Sequence, residues 1–90
     1  MTDPLLFESL YAESSDPWHL AERAYEQRKF ELTVASLPRA RYADAFEPAC
    51  SIGVLTERLA LRCDRVLASD PAAPLDEARR RVPAPGVTFE

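Results

Sequence analysis

The sequence is poor in glycine. Gly53 and Gly86 are the only two in 90 residues, whereas a dinucleotide-binding fingerprint wants glycines at the first, third and sixth positions of one loop. Counted from Ala49, the third and sixth positions are Ser51 and Val54, which argues against a nicotinamide-dependent oxidoreductase. Cysteine is just as scarce. Cys50 and Cys63 have twelve residues between them, a spacing that matches neither a CxxC redox pair nor a zinc set. The one histidine, His19, has no partner at ligand spacing, so no metal site is expected. There is no long apolar run, no signal peptide, no internal repeat and no low-complexity tract, so the expectation is a cytoplasmic chain with reduced thiols and no membrane partner. Positive charge is also in deficit. With 11 basic and 15 acidic residues the net charge is −4, which gives no electrostatic reason to expect a nucleic-acid partner. The single basic cluster, Arg79-Arg80-Arg81, reads as a solvated helix end whose charges suit the helix dipole.

What remains is an ordinary globular composition, 47% hydrophobic and 29% charged, long enough for one small domain. Asp3-Pro4 opens a helix running to about Ala12, with Leu6, Phe7 and Leu10 on one stripe and Tyr11 beside it. The turn-forming cluster Ser14-Ser15-Asp16-Pro17 ends it, and Trp18 follows as a packing anchor or ligand contact. A second helix, about Tyr25 to Ser36, repeats Phe30, Val34 and Leu37 at helical spacing until Pro38 stops it. A strand around Asp44–Glu47 leads into a tight loop and a helix to Arg62, whose inward stripe is Ile52, Leu55 and Leu59, with Thr56, Glu57, Arg58 and Arg62 more outward. Val66-Leu67-Ala68 reads as a second strand ending at Asp70. A proline-bounded loop, a helix from Pro74 to about Val82 and the strand-like Val87-Thr88-Phe89 complete the chain. The fold class is α/β: two helices, then βαβαβ with a parallel sheet in the order 3-2-1. Because the last residues read as a strand opening, the chain is expected to be the N-terminal part of a longer enzyme, or a truncated gene product, inactive by itself.

A βαβ unit makes its site at the carboxyl ends of its strands. Here those ends carry Glu47, then small residues at every second position (Ala49, Ser51, Gly53), and Asp70 across the crossover. Alternating small residues let a ligand approach the backbone, and an acid after the second strand can accept hydrogen bonds from ribose hydroxyls. This pattern fits a single adenosyl ligand better than a dinucleotide. Cys50 reads as a small buried filler, because no base can be placed beside it.

Glu47-Pro48-Ala49-Cys50-Ser51-Ile52-Gly53-Val54-Leu55-Thr56 resembles the first motif of class I S-adenosylmethionine-dependent methyltransferases, and Val66-Leu67-Ala68-Ser69-Asp70 the second. The wider pattern, Leu10-Tyr11-Ala12, Asp16-Pro17-Trp18, Tyr25-Glu26-Gln27-Arg28-Lys29 and Ala35-Ser36-Leu37-Pro38-Arg39, is similar to the NodS-like branch of N-methyltransferases. The resemblance implies a partial Rossmann-like domain. Residues 1–42 would be a helical lid and residues 43–90 the first half of the domain that binds S-adenosylmethionine, the cofactor it implies. The implied reaction is methyl transfer to a small-molecule acceptor, an amine in this branch. Ala49, Ser51 and Gly53 would line the cofactor's amino-acid portion and sulfur, Glu47 would face its ammonium or a bridging water, and Asp70 its ribose. Trp18, Tyr25 and Arg28 of the lid would cover it or hold its carboxylate. Ala49 stands where the family usually has glycine, and a methyl there is expected to crowd the cofactor or resist a positive φ. The alternative is a non-catalytic Rossmann-like fragment that holds a nucleotide or another chain.

Overall fold

The computed structural model describes residues 4–90, so the helix cap read at Asp3 lies outside the described residues. Helices α1 (Pro4–Glu13) and α2 (Ala24–Ala35) come first, followed by β1 (Tyr42–Pro48), α3 (Val54–Ala60), β2 (Cys63–Ser69), α4 (Leu75–Arg81) and β3 (Val87–Phe89). The strands form one parallel sheet in the order β1-β2-β3. This is the expected topology, since parallel neighbours must be joined by a crossover and α3 and α4 supply it. β1 and β2 each run seven residues, longer than their apolar segments suggested. Pairing from Tyr42–Cys63 to Pro48–Ser69 draws flanking polar residues into the ladder.

Register fixes the two faces. Glu47 lies opposite Ala68 and Ala45 opposite Val66 on the side that α3 and α4 cover. Asp44 and Arg65, and Phe46 and Leu67, share the other side. Among the described residues nothing covers that side, where Phe46 is 63% exposed and Arg65 grips Asp44 through two hydrogen bonds of 2.6 and 2.9 Å. The covered side closes over small side chains. Ala68 and Ala78 pack with Cys50, Val82 and Phe89, which lets α4 sit close to the sheet. Gly53 belongs to this contact, because a β-carbon there would lie 3.4 Å from both Ala78 and Val82. At Gly86 a β-carbon would meet the Asp64 carbonyl oxygen at 2.3 Å, so only glycine brings the chain into β3 against β2.

α3 lies between the sheet and α2, and this changes the expected orientation of its polar residues. Thr56, expected outward, is wholly buried on the sheet side. Arg58, and Arg62 in the turn just after α3, also expected outward, turn toward α2. Arg58 donates to Gln27 Oε1 at 2.5 Å, and Arg62 donates to the carbonyls of Val34 at 2.6 Å, Ala40 at 3.1 Å and Arg39. α2 has no fully buried residue of its own, so polar clamps hold it where an apolar seam usually would. In α1 the expected stripe is rotated: Leu6 is 54% exposed, whereas Phe7, Leu10 and Tyr11 are half-buried. No helix among the described residues is long and apolar enough to cross a membrane.

Candidate functional site

The chain between β1 and α3 carries three left-handed residues at alternate positions: Ala49 at φ 57°, Ser51 at φ 53° and Gly53 at φ 85°. The alternation of small residues thus has a backbone cause, because a left-handed conformation penalises a β-carbon and penalises a bulky one most. The expectation that the Ala49 methyl would resist a positive φ is corrected: Ala49 adopts it, with the steric cost that glycine would avoid.

Asp70 fastens this loop. Its Oδ2 accepts the Ser51 N–H at 2.9 Å, and its Oδ1 accepts the N–H groups of Ala72 and Ala73, both at 3.0 Å. A carboxylate offers about four acceptor sites, so one position on Oδ2 stays available. The first acid, Glu47, is 8% exposed and accepts one hydrogen bond, from the Thr56 hydroxyl to Oε1 at 2.5 Å. Burial pushes its carboxyl up to about 7, against the opposing pull of the Thr56 hydrogen bond. Burial, with the Glu47 and Asp70 carboxylates nearby, also pushes the Cys50 thiol up to about 12. That thiol stays protonated at neutral pH, as its reading as a filler requires.

Two cavities flank the loop and share Leu20, Ala49 and Ser51. The first, about 400 Å³, is walled by Phe7, Tyr11 and Trp18 on one side and by Asp70, Pro71 and Ala72 on the other. Trp18 is seated there by two aromatic neighbours, Phe7 at 5.7 Å and Tyr11 edge-on at 5.4 Å between ring centroids. The turn before it is closed by Asp16, whose carboxylate accepts the N–H groups of Leu20 at 2.8 Å and Ala21 at 3.0 Å. Tyr11 Oη and Ser51 Oγ share a hydrogen bond of 2.5 Å, which ties α1 to the loop. Burial foremost raises the Tyr11 pKa, so its hydroxyl is neutral at physiological pH. The second cavity, about 440 Å³, lies between α2 and the loop and is lined by Glu47, Lys29, Phe30 and Leu55 among others. A larger, shallow depression of about 720 Å³ lies on the open sheet face, where Asp44 and Arg65 already satisfy each other.

The structure therefore brings together Glu47, Ala49, Ser51, Asp70 and Trp18. Gly53 closes the loop but faces α4 and lines neither cavity. Tyr25 is 73% exposed and Arg28 is also exposed, and neither lines a cavity. Sequence reasoning missed two residues that complete the arrangement, Tyr11 and Thr56. Periodicity places Tyr11 beside a helix stripe and Thr56 more outward, and periodicity along one helix cannot show what a distant segment places opposite it. Chemically, a flat or hydroxyl-bearing group suits the aromatic and Asp70 end, and a cation suits the buried carboxylate at the other. One elongated ligand could span both across the Ala49–Ser51 backbone.

Residues 3–84 match the family model described as nodulation protein S. Among curated relatives, nodulation protein S of Rhizobium tropici is 35% identical over 75 residues, covering 80% of this chain and 31% of that protein. The chain thus spans about a third of the length of the curated relatives it matches. Among solved structures, the N-methyltransferase NodS from Bradyrhizobium japonicum WM9, in complex with S-adenosyl-L-homocysteine, superposes with a TM-score of 0.78 at 27% identity, over 96% of this chain and 45% of that one. A putative methyltransferase from Pseudomonas syringae superposes with a TM-score of 0.66 at 42% identity, over 74% of this chain and 44% of that one. The fold is accordingly that of part of a class I, Rossmann-like methyltransferase domain. Since residues 3–84, nearly all of this chain, match the family model, this chain belongs to the nodulation protein S (NodS) family.

Proposed function

We propose that this chain forms the cofactor-binding portion of an S-adenosylmethionine-dependent methyltransferase that acts on a small-molecule acceptor, an amine. One observation carries the reading: two cavities, one ending in a buried carboxylate that no cation pairs with among the described residues and the other in aromatic rings and Asp70, meet over a single left-handed loop. S-adenosylmethionine has the matching order of groups, an ammonium at one end, a sulfur in the middle, and a ribose and flat purine at the other. The Bradyrhizobium N-methyltransferase NodS, a structural relative, was solved with the demethylated cofactor.

In this reading Glu47 faces the ammonium, Ala49 and Ser51 lie under the sulfur and the adjoining chain, and Gly53 sets the turn. Asp70 uses its remaining acceptor position for a ribose hydroxyl. Trp18, with Tyr11, shields the ligand from water. The roles of Tyr25 and Arg28 rest on the family resemblance alone. The bound cofactor would supply an electrophilic sulfonium methyl group, and such transfer depends mainly on holding donor and acceptor in line. The chain's part is to fix both ends of the donor so that the methyl is presented in one direction. Two buried free thiols suit a reducing compartment, so a cytoplasmic location is proposed with it.

Calorimetric titration with S-adenosylhomocysteine tests the assignment. Binding is expected, weakened about tenfold in Glu47→Gln, or roughly 1.4 kcal/mol. Trp18, the sole tryptophan, should change its emission as the ligand enters. A folded chain that fails to bind at millimolar ligand would overturn the reading.

A further inference from the structure

Glu47 is a buried carboxylate held by a single side chain. Thr56, wholly buried on α3, donates to Oε1, and among the described residues nothing is bonded to Oε2. Among the described residues, the charged groups around it leave it without a counter-ion. Lys29 of α2 lines the same cavity, but its ammonium is engaged by Glu26 at 2.7 Å. Arg58 of α3 reaches away to Gln27, and Glu57 on the same helix is exposed. The loop contributes the protonated Cys50, and the end of β2 contributes Asp70, whose oxygens hold backbone N–H groups. A β-branched side chain is stiff at χ1, so Thr56 in its packed site can hold one oxygen in a fixed place.

We propose that Thr56 is a positioning residue: by holding one oxygen of Glu47, it aims the other at the cavity where the cofactor's ammonium binds. This rests on the functional reading above and goes beyond it in one respect. Thr56 sets affinity for the amino-acid end of the ligand and leaves the nucleoside end unaffected.

The distinction can be measured through pH. Glu47 titrates near 7 because burial disfavours its charged form, and the Thr56 hydrogen bond is the only opposing cause. A bound ammonium favours the ionised form. Affinity for S-adenosylhomocysteine therefore rises as Glu47 ionises, by about tenfold between pH 6 and pH 8, and levels off above. Thr56→Val keeps the shape but removes the opposing cause, so the midpoint moves upward and affinity at pH 7 falls several-fold. Thr56→Ser restores both. The comparison ligand is 5′-methylthioadenosine, which carries the nucleoside and the thioether but no ammonium. Its affinity should be flat across this range and unchanged in Thr56→Val.

Calorimetry with both ligands on the wild-type chain and the two Thr56 variants decides it. If neither ligand binds the wild-type chain, the functional reading fails and this inference with it. If both bind but respond equally to pH, or lose affinity equally in Thr56→Val, the cofactor site stands and Thr56 is only a packing residue. The wild-type pH comparison needs no variant, so the inference can still be overturned if Thr56→Val does not fold.

Discussion

Ala49 shows how one residue can carry a conformational cost for the sake of a site. A left-handed residue with a β-carbon is disfavoured by about 1 kcal/mol or more relative to its ordinary conformation, and Ala49 sits at φ 57° with its side exposed to both cavities. Ser51 bears a similar cost, offset by what it holds: its N–H reaches Asp70 and its hydroxyl meets Tyr11. Ala49 makes no such compensating contact. Ala49→Gly should therefore raise stability by about 1 kcal/mol, since relief of the strain exceeds the added freedom of the unfolded chain. For a chain of this size that is a rise in melting temperature of about 4–8 °C, measurable by differential scanning calorimetry, with S-adenosylhomocysteine affinity unchanged or tighter. A lower melting temperature would show that the loop is not strained at this position.

α2 is held with no fully buried residue of its own. Its docking depends on Arg58 and on Arg62, which sits in the turn just after α3 and takes the carbonyls of Val34, Arg39 and Ala40, at the end of α2 and in the following connector. Hydrogen bonds to a charged donor contribute about 1.5–3 kcal/mol each at most, and much less where water competes. Arg62→Ala should cost about 1–3 kcal/mol, expressed locally. Hydrogen exchange checks this: amides of α2 should exchange faster while those of β2 keep their protection. The helix itself was legible from Phe30, Val34 and Leu37, which recur at helical spacing. Its means of attachment was not, because Arg58 and Arg62 read as solvated until a second helix is laid across them.

At the scale of the molecule, the two N-terminal helices meet the rest of the chain at few points, and several of these are the walls of the two cavities. Tyr11 on Ser51 ties α1 to the loop, and the rings around Trp18 face Asp70 across open space. The Cα radius of gyration, 13.1 Å, slightly exceeds the roughly 12 Å expected of a compact chain this long. A ligand filling both cavities would join lid to sheet and stabilise the whole. With S-adenosylhomocysteine at a hundred times its dissociation constant, the linkage contribution is about 2.7 kcal/mol. Thermal melting should shift upward by roughly 10 °C or more under those conditions. Adenosine, which reaches only the aromatic end, should give a smaller shift at equal concentration. Equal shifts would show that the Glu47 end takes no part.

The sequence by itself determined the order of elements, the parallel sheet and its strand order, and the position of the loop between Glu47 and Asp70. These follow from short-range properties: periodicity, proline and turn clusters, and the need for a crossover between parallel strands. Only the tertiary structure decided what lies opposite what. It put Thr56 beneath Glu47, used most of the Asp70 carboxylate to hold backbone, brought Tyr11 to Ser51 across 40 residues of sequence, and left Tyr25 and Arg28 facing outward. Those outcomes depend on how helices cross a sheet. A pattern along a single segment records which side of it is apolar and carries no information about the residue that will meet it.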